Sequence, residues 1–284
     1  MTVWQAIVLG IVQGLTEFLP VSSSAHLVIV PWLLGWESPG LAFDAALHLG
    51  TLAAVIVYFW RDLVAMALAF PRAIQRPRAI LGSDDPADVM PRLALLIALG
   101  TVPGLAAGLL GAEMIDAVYH PGGGTPDAIV VVIAVALIAL ALLLLWAERA
   151  ARHVRGMASL DVRDALVIGL AQAAALIPGV SRSGATITAG LFRGLTRADA
   201  ARFSFLLGAP IVAAAGAKGL LDTLTSGLDA GQLGVFAIGL AASALAGFAA
   251  IWGLLRYLQR ASTAVFIVYR IALGIGLLVL VASR

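Results

Sequence analysis

Cysteine is missing from the 284 residues, and charge is scarce at 12% Asp, Glu, Lys and Arg. The first absence excludes disulfides and thiolate chemistry, and leaves redox usage silent about the compartment. The second sets the chain apart from soluble globular proteins, which carry about a quarter charged residues. Its basic residues occur as singles and pairs, not as a run or stripe, which weighs against nucleic acid as a partner. The N-terminal MTVWQAIVLG has no basic n-region, and polar Gln13 and Glu17 interrupt its apolar part, so no cleaved signal peptide is expected. What the chain has instead is apolar length: 61% hydrophobic residues and a mean hydropathy of +1.01. Runs of about 18–22 residues match a hydrocarbon core of roughly 30 Å at 1.5 Å per residue, whereas a membrane barrel needs alternating segments of about ten. The class is an all-α polytopic membrane protein.

Six runs are long and clean enough to cross: roughly Phe43 to Trp60, Arg92 to Leu110, Asp127 to Trp146, Ala200 to Leu220, Leu233 to Leu255 and Ala264 to Ala282. Two further apolar segments are broken midway, Val3 to Leu34 at FLPVSSSAH and Val162 to Phe192 at IPGVSRSGAT. Each half is too short to span, so each segment reads as a re-entrant helical hairpin whose irregular tip lines a cavity inside the protein. At an offset of 159, AIVLGIVQGLTEFLPVSSS superimposes on ALVIGLAQAAALIPGVSRS with seven identities in nineteen: Ala6, Val8, Gly10, Gln13, Val21, Ser22 and Ser24 on Ala165, Val167, Gly169, Gln172, Val180, Ser181 and Ser183. Three crossings follow each hairpin. The chain therefore reads as one membrane domain, 1–284, made of a repeat at about 1–147 and a second at about 160–284.

An odd number of crossings between the hairpins makes the two enter from opposite faces, so the repeat is inverted. On this topology fourteen of the eighteen basic residues fall on one side: Arg61, Arg72, Arg76, Arg78, Arg92, Arg149, Arg152, Arg155, Arg163, Arg193, Arg197, Arg202, Arg256 and Arg260. Lys218 and Arg284 remain on the other; Arg270 lies inside the last span near its basic end, and Arg182 in a hairpin tip. The positive-inside rule makes the basic side cytoplasmic and places both termini outside.

The tips concentrate polar chemistry. Gln13 and Glu17 share a helix face four residues apart. Pro20 ends that helix, and Ser22, Ser23 and Ser24 supply hydroxyls and a cap for the next helix, which carries His26. In the second tip, Pro178 and Gly179 break the helix, and Ser181, Arg182, Ser183 and Thr186 surround Gly184 at a new helix start. Helix-start N–H groups beside a guanidinium make an anion site, with phosphate the expected anion. Blander readings exist for single residues: hydroxyls as backbone caps, Gln13 as helix-packing glue, His26 as a packed core residue, Glu17 and Arg182 as a structural ion pair. A charge at mid-depth costs about 2.5–3.5 kcal/mol, and an ion pair alone leaves the hydroxyls and histidine unexplained. Asp44 and His48 either join the site or mark the interface. The tryptophans fall mostly near span ends, as an aromatic belt. Gly104, Gly108, Gly274 and Gly276 are expected at close helix contacts. HPGGGTPD, His120 to Asp127, is expected as an external turn, and without a preceding strand or a lysine it is no phosphate-binding P-loop.

QGLTEFLPVSSSAH and PGVSRSGATIT closely resemble the signature motifs of the undecaprenyl-diphosphate phosphatase family, integral membrane enzymes of bacterial cell-wall lipid recycling also called bacitracin resistance proteins. FDAALHLGTLAAVIVYFW and ARFSFLLGAP also look like family segments in the right order, so the similarity covers essentially the whole chain. The resemblance implies hydrolysis of undecaprenyl diphosphate to undecaprenyl phosphate and inorganic phosphate, with a divalent cation, Mg or Ca. It likewise implies the inverted-repeat fold and a place in the bacterial cytoplasmic membrane. By residue match, the family's acidic motif falls on Gln13 and Glu17, its serine and histidine motif on Ser22, Ser23 and His26, and its arginine motif on Ser181, Arg182, Ser183 and Thr186. Many members have Glu where Gln13 stands, which leaves Glu17 as the carboxylate for a cation. The expected roles are catalytic for Glu17, Ser22, Ser23, His26 and Arg182, and substrate-binding for Gln13, Ser181, Ser183, Gly184 and Thr186. The polyprenyl diphosphate is expected to enter laterally from the outer leaflet; a homodimer is left open. The rival class is a secondary transporter or flippase of an anionic substrate, which needs no hydroxyl cluster beside Glu17 and His26. Two-histidine lipid phosphatases are a weaker match, because SRSGAT lacks their trailing histidine.

Overall fold

The structure, a computed structural model, describes residues 1–37, 40–83, 85–119, 126–225 and 230–283. Residues 120–125 of the expected HPGGGTPD turn, and Arg284, lie outside the described residues. The described chain is helical, with one isolated bridge between Arg155 and Leu195. In order the helices are α1 (Val3–Phe18), α2 (Ser23–Leu34), α3 (Leu41–Tyr58), α4 (Trp60–Gln75), α5 (Pro77–Leu81), α6 (Val89–Tyr119), α7 (Asp127–Ala150), α8 (Val162–Ala173), α9 (Arg182–Phe192), α10 (Arg197–Thr225), α11 (Ala230–Leu258) and α12 (Ala264–Ala282).

Among the described residues five helices are long and apolar enough to cross a membrane, or six if α3 and α4 count as one bent span. The run expected to cross from Phe43 to Trp60 is α3, and the chain turns by 81° where that run ends, between Tyr58 and Trp60. Asp62, in the first turn of α4, is held by Arg202 of α10 at 2.7 Å, and the same guanidinium lies 5.8 Å over the Phe59 ring. The ion pair ties the start of α4 to α10 just beyond the turn.

The two broken segments are pairs of short helices of 16 and 12, and of 12 and 11 residues, against about 20 for a span. Leu19 precedes Pro20 and is extended, φ −65° and ψ 141°, which ends α1. Ile177 precedes Pro178 and is likewise extended, φ −76° and ψ 116°. Helices α1 and α2 pack on each other, as do α8 and α9.

Local structure repeats at the offset of 159 read from the sequence. Thr2 and Gln5 form a capping box at the start of α1, and Asp161 and Asp164 form one at the start of α8. Gly10 of α1 lies so close to Gly239 of α11 that a Cβ would overlap its backbone, and Gly169 of α8 meets Gly100 of α6 in the same way. Accordingly α1 packs on α11 and α8 on α6. Gly104 and Gly274 also sit at tight contacts, against Ile211 and Ile138, but Gly108 and Gly276 have open space where a side chain would go. For those two the expectation of close packing fails, because among the described residues no neighbouring helix approaches them.

On the flanks rich in arginine, carboxylates are paired with guanidinium groups. Glu148 pairs with Arg197 and accepts from Thr263; Asp164 pairs with Arg155 and Arg193, each at 2.6 Å; Asp88 pairs with Arg72. Burial works to raise the Asp164 pKa, but hydrogen bonds from Arg155 and Arg193 outweigh it and hold the carboxyl below its ordinary value.

Candidate active site

The two helix breaks meet, and Glu17 is their junction. Its side chain is 5% exposed, and each oxygen has a partner from a different segment. Oε1 accepts from Nη2 of Arg182 at 2.9 Å, so the carboxylate of the first break is paired with the guanidinium of the second. Oε2 accepts from the Ser23 hydroxyl at 2.6 Å and from Nε2 of Gln13 at 3.0 Å. Nε2 of His48, from α3, stands 3.6 Å from that same oxygen. Ser183 ties the breaks together a second time, its hydroxyl donating to the Leu19 carbonyl at 3.0 Å.

The breaks are built alike. Ser22 has φ 77° and ψ 95°, Ser181 has φ 73° and ψ 119°, conformations that L residues other than glycine adopt at a cost of about 1–3 kcal/mol. Each serine hydroxyl caps the following helix, accepting from Ala25 N and Gly184 N respectively. Each is also within 3.3 Å of a second serine hydroxyl, Ser22 with Ser24 and Ser181 with Ser183. The left-handed caps aim the first residue of each helix at the junction, Ser23 from α2 and Arg182 from α9.

Of the residues singled out in the sequence, Gln13, Glu17, Ser23, Arg182 and Ser183 therefore converge. Ser22, Ser181 and Gly184 build the caps behind them. Thr186 is one turn removed: its hydroxyl donates to the Arg182 carbonyl at 2.8 Å and lies 2.6 Å from the Ser204 hydroxyl of α10. His26 is turned away, with Nδ1 2.6 Å from the Ser22 carbonyl and Nε2 2.6 Å from the Tyr269 hydroxyl. Both ring nitrogens are thereby occupied. His48, left open in the sequence, belongs to the site.

Three contributors were given no role in the sequence, although two of them, Ser204 and Gly208, lie in the family-like segment ARFSFLLGAP. Ser204 accepts from Arg182 through its carbonyl at 3.4 Å. Gly208, one turn further along α10, leaves the space the guanidinium fills; a Cβ there would overlap it. Arg270 is fully buried beneath both breaks, and the one signal for it was a charge inside an apolar run.

Among the described residues no three His, Cys, Asp or Glu side chains converge as metal ligands. Glu17 already gives both oxygens to protein donors, and Gln13 offers an amide where a second carboxylate would help. Of these side chains Glu17 is the one a divalent cation would draw on, by exchange with the donors it now holds.

Buried charge, a hydroxyl hydrogen-bonded to a carboxylate, and a guanidinium at a helix start are the parts of a phosphoryl-transfer site. Comparison with known proteins agrees. A family profile described as bacitracin resistance protein BacA matches residues 6–276. An undecaprenyl-diphosphatase of Thermomicrobium roseum is 52% identical over 282 residues, 99% of each chain. The undecaprenyl-diphosphatases of Pelotomaculum thermopropionicum and Desulforudis audaxviator are 44% and 43% identical, each over 100% of this chain and over 98% and 100% of their own.

Proposed function

Because the chain belongs to the bacitracin resistance protein BacA family, we propose that it removes the terminal phosphate of undecaprenyl diphosphate, returning undecaprenyl phosphate to cell-wall synthesis. The observation that carries this reading is the Glu17 carboxylate held between Ser23 at 2.6 Å and Arg182 at 2.9 Å. Arg182 exchanges its carboxylate partner for the diphosphate and neutralises the charge that develops on the phosphoryl oxygens. The first-turn N–H groups of α9 face the same anion. Ser23 attacks the terminal phosphorus, Glu17 Oε2 takes its proton, and the bridging P–O bond breaks to release undecaprenyl phosphate. Glu17 gives up that proton to the departing lipid phosphate, then takes one from the water that attacks the phosphoserine and returns it to the Ser23 oxygen as the P–O bond breaks, freeing inorganic phosphate. Ser22 is less suited as nucleophile because its hydroxyl is committed to the cap. His48 is placed to relay the proton from Glu17; His26, with both nitrogens engaged, orients α2 through Ser22 and Tyr269. A Mg or Ca ion would arrive with the substrate's own oxygens, and no step runs through it.

The reading includes a membrane arrangement. Equal caps, equal capping boxes and exchanged glycine contacts at an offset of 159 support two repeats, each a re-entrant hairpin followed by three crossings. Three crossings between the hairpins make the repeats inverted. The arginine-rich flanks lie in the cytoplasm, both termini outside, and the site takes its lipid laterally from the outer leaflet of the bacterial cytoplasmic membrane.

The test is phosphate release by purified protein in detergent, where no gradient exists. Polyprenyl diphosphate should be hydrolysed and the Ser23→Ala variant should not turn it over. Binding without release would sink the phosphatase and leave a carrier of anionic lipid.

A further inference from the structure

Arg270, in α12, is 0% exposed, and among the described residues no carboxylate pairs with it. It is surrounded by main-chain oxygens. Nε donates to the Leu137 carbonyl of α7 at 3.0 Å, Nη1 to Pro20 at 3.1 Å, and Nη2 to Gly179 at 2.8 Å, with Val180 and Ala136 further off at 3.3 and 3.4 Å. Pro20 lies in the first break and Gly179 in the second, and the two are 159 residues apart, equivalent positions of the duplicated unit. One planar fork thus holds the same carbonyl from each half. Its neighbour Tyr269 reaches 2.6 Å from His26 at the start of α2.

Carbonyls at a broken helix have lost their intrahelical donors, and in a bilayer interior no water replaces them, at a cost of several kcal/mol each. A buried guanidinium without a counter-ion is also costly. Each deficit is met by the other. The fork geometry matters: a lysine brings one point of attachment, an arginine two in a fixed plane.

We propose that Arg270 is a positioning residue that fixes the separation of the two breaks, and through them the alignment of Ser23 and Glu17 with Arg182. It touches no substrate. Its effect passes through the backbone of Pro20 and Gly179, each a few residues from a reacting group.

Two measurements test this. The kinetic one rests on the phosphatase reading. Arg270→Met should lower kcat for polyprenyl diphosphate about a hundred-fold, the scale of a misplacement near 1 Å, with KM little changed, and Arg270→Lys should recover only part. In a double-mutant cycle Arg182→Ala with Arg270→Met should be scarcely slower than Arg182→Ala alone. Losses that multiply, or full turnover by Arg270→Met, would overturn the proposal. The second measurement needs no activity. The chain has no native cysteine, so nitroxides on Leu19→Cys and Ile177→Cys report the distance between the breaks. That distance should widen in distribution in Arg270→Lys, which keeps the charge if Arg270→Met does not fold. An unchanged distribution refutes the clamp whatever the substrate is.

Discussion

At the first break Ser22 stands at φ 77° and caps α2; at the second Ser181 stands at φ 73° and caps α9. The two turns share backbone, cap and serine pair, yet the side chains at equivalent positions have little in common. Glu17 corresponds to Leu176, Ser23 to Arg182 and His26 to Ala185. The two breaks are alike in backbone, and the groups that meet at Glu17 are divided between them. A carboxylate with its hydroxyl came from one side, and a cation for an anionic substrate from the other. Two identical breaks would place like charges together, which in a low-dielectric interior is strongly unfavourable.

If the halves are divided in this way, removing either charge should abolish the site. Arg182→Ala and Glu17→Gln are each expected to lower kcat/KM by about 10³-fold, measured as phosphate release, with the protein still extracted and folded. Near-normal turnover in either would remove the division of labour. Ser23→Ala should likewise abolish turnover and with it any trappable phosphoserine, whereas Ser24→Ala, which alters only the serine pair of the first cap, should remain within a few-fold of the parent. Equal losses at both positions would mean that the hydroxyls serve structure alone.

The smallest effect concerns how the two hairpin segments begin. The capping box of α1 uses uncharged Thr2 and Gln5, that of α8 uses Asp161 and Asp164. The folded-state pKa of Asp164 lies below its ordinary value. Its pairing with Arg155 and Arg193 is therefore fully present above the unfolded-state pKa, about 4, and is lost as pH falls through the lower folded value. Acidification below the usual carboxylate range should lower the thermal unfolding midpoint, and Asp164→Asn should flatten that acid limb. An acid limb unchanged in Asp164→Asn would assign the sensitivity to another carboxylate.

Proline, serine and intramembrane charge made the two breaks, and the meeting of Glu17 with Arg182, readable before any coordinates, since each is a local signal with a high cost if misplaced. What escaped depends on packing between distant segments. The 81° turn falls where the expected span ends, but the ion pair beyond it, Arg202 reaching Asp62 across 140 residues, is encoded by no local pattern. His26 faces Tyr269 and not Glu17 because of where α12 passes. Asp44 and His48 looked alike on one helix face, yet only His48 comes within reach of Glu17, while Oδ1 of Asp44 is buried without a hydrogen-bond partner. Arg270 was visible as a charge inside the last span near its basic end but was given no partner, because its acceptors are carbonyls and carbonyls leave no trace in the residue alphabet.

Gly208 sets a constraint of another kind. The volume of any side chain there is already taken by the Arg182 guanidinium from a different helix, so the two positions are inherited as one. Thickening position 208 displaces the guanidinium and shortening Arg182 removes it, so a change at either position alone costs the enzyme its cation. Mutational drift along α10 is thus gated by an atom that α10 does not own.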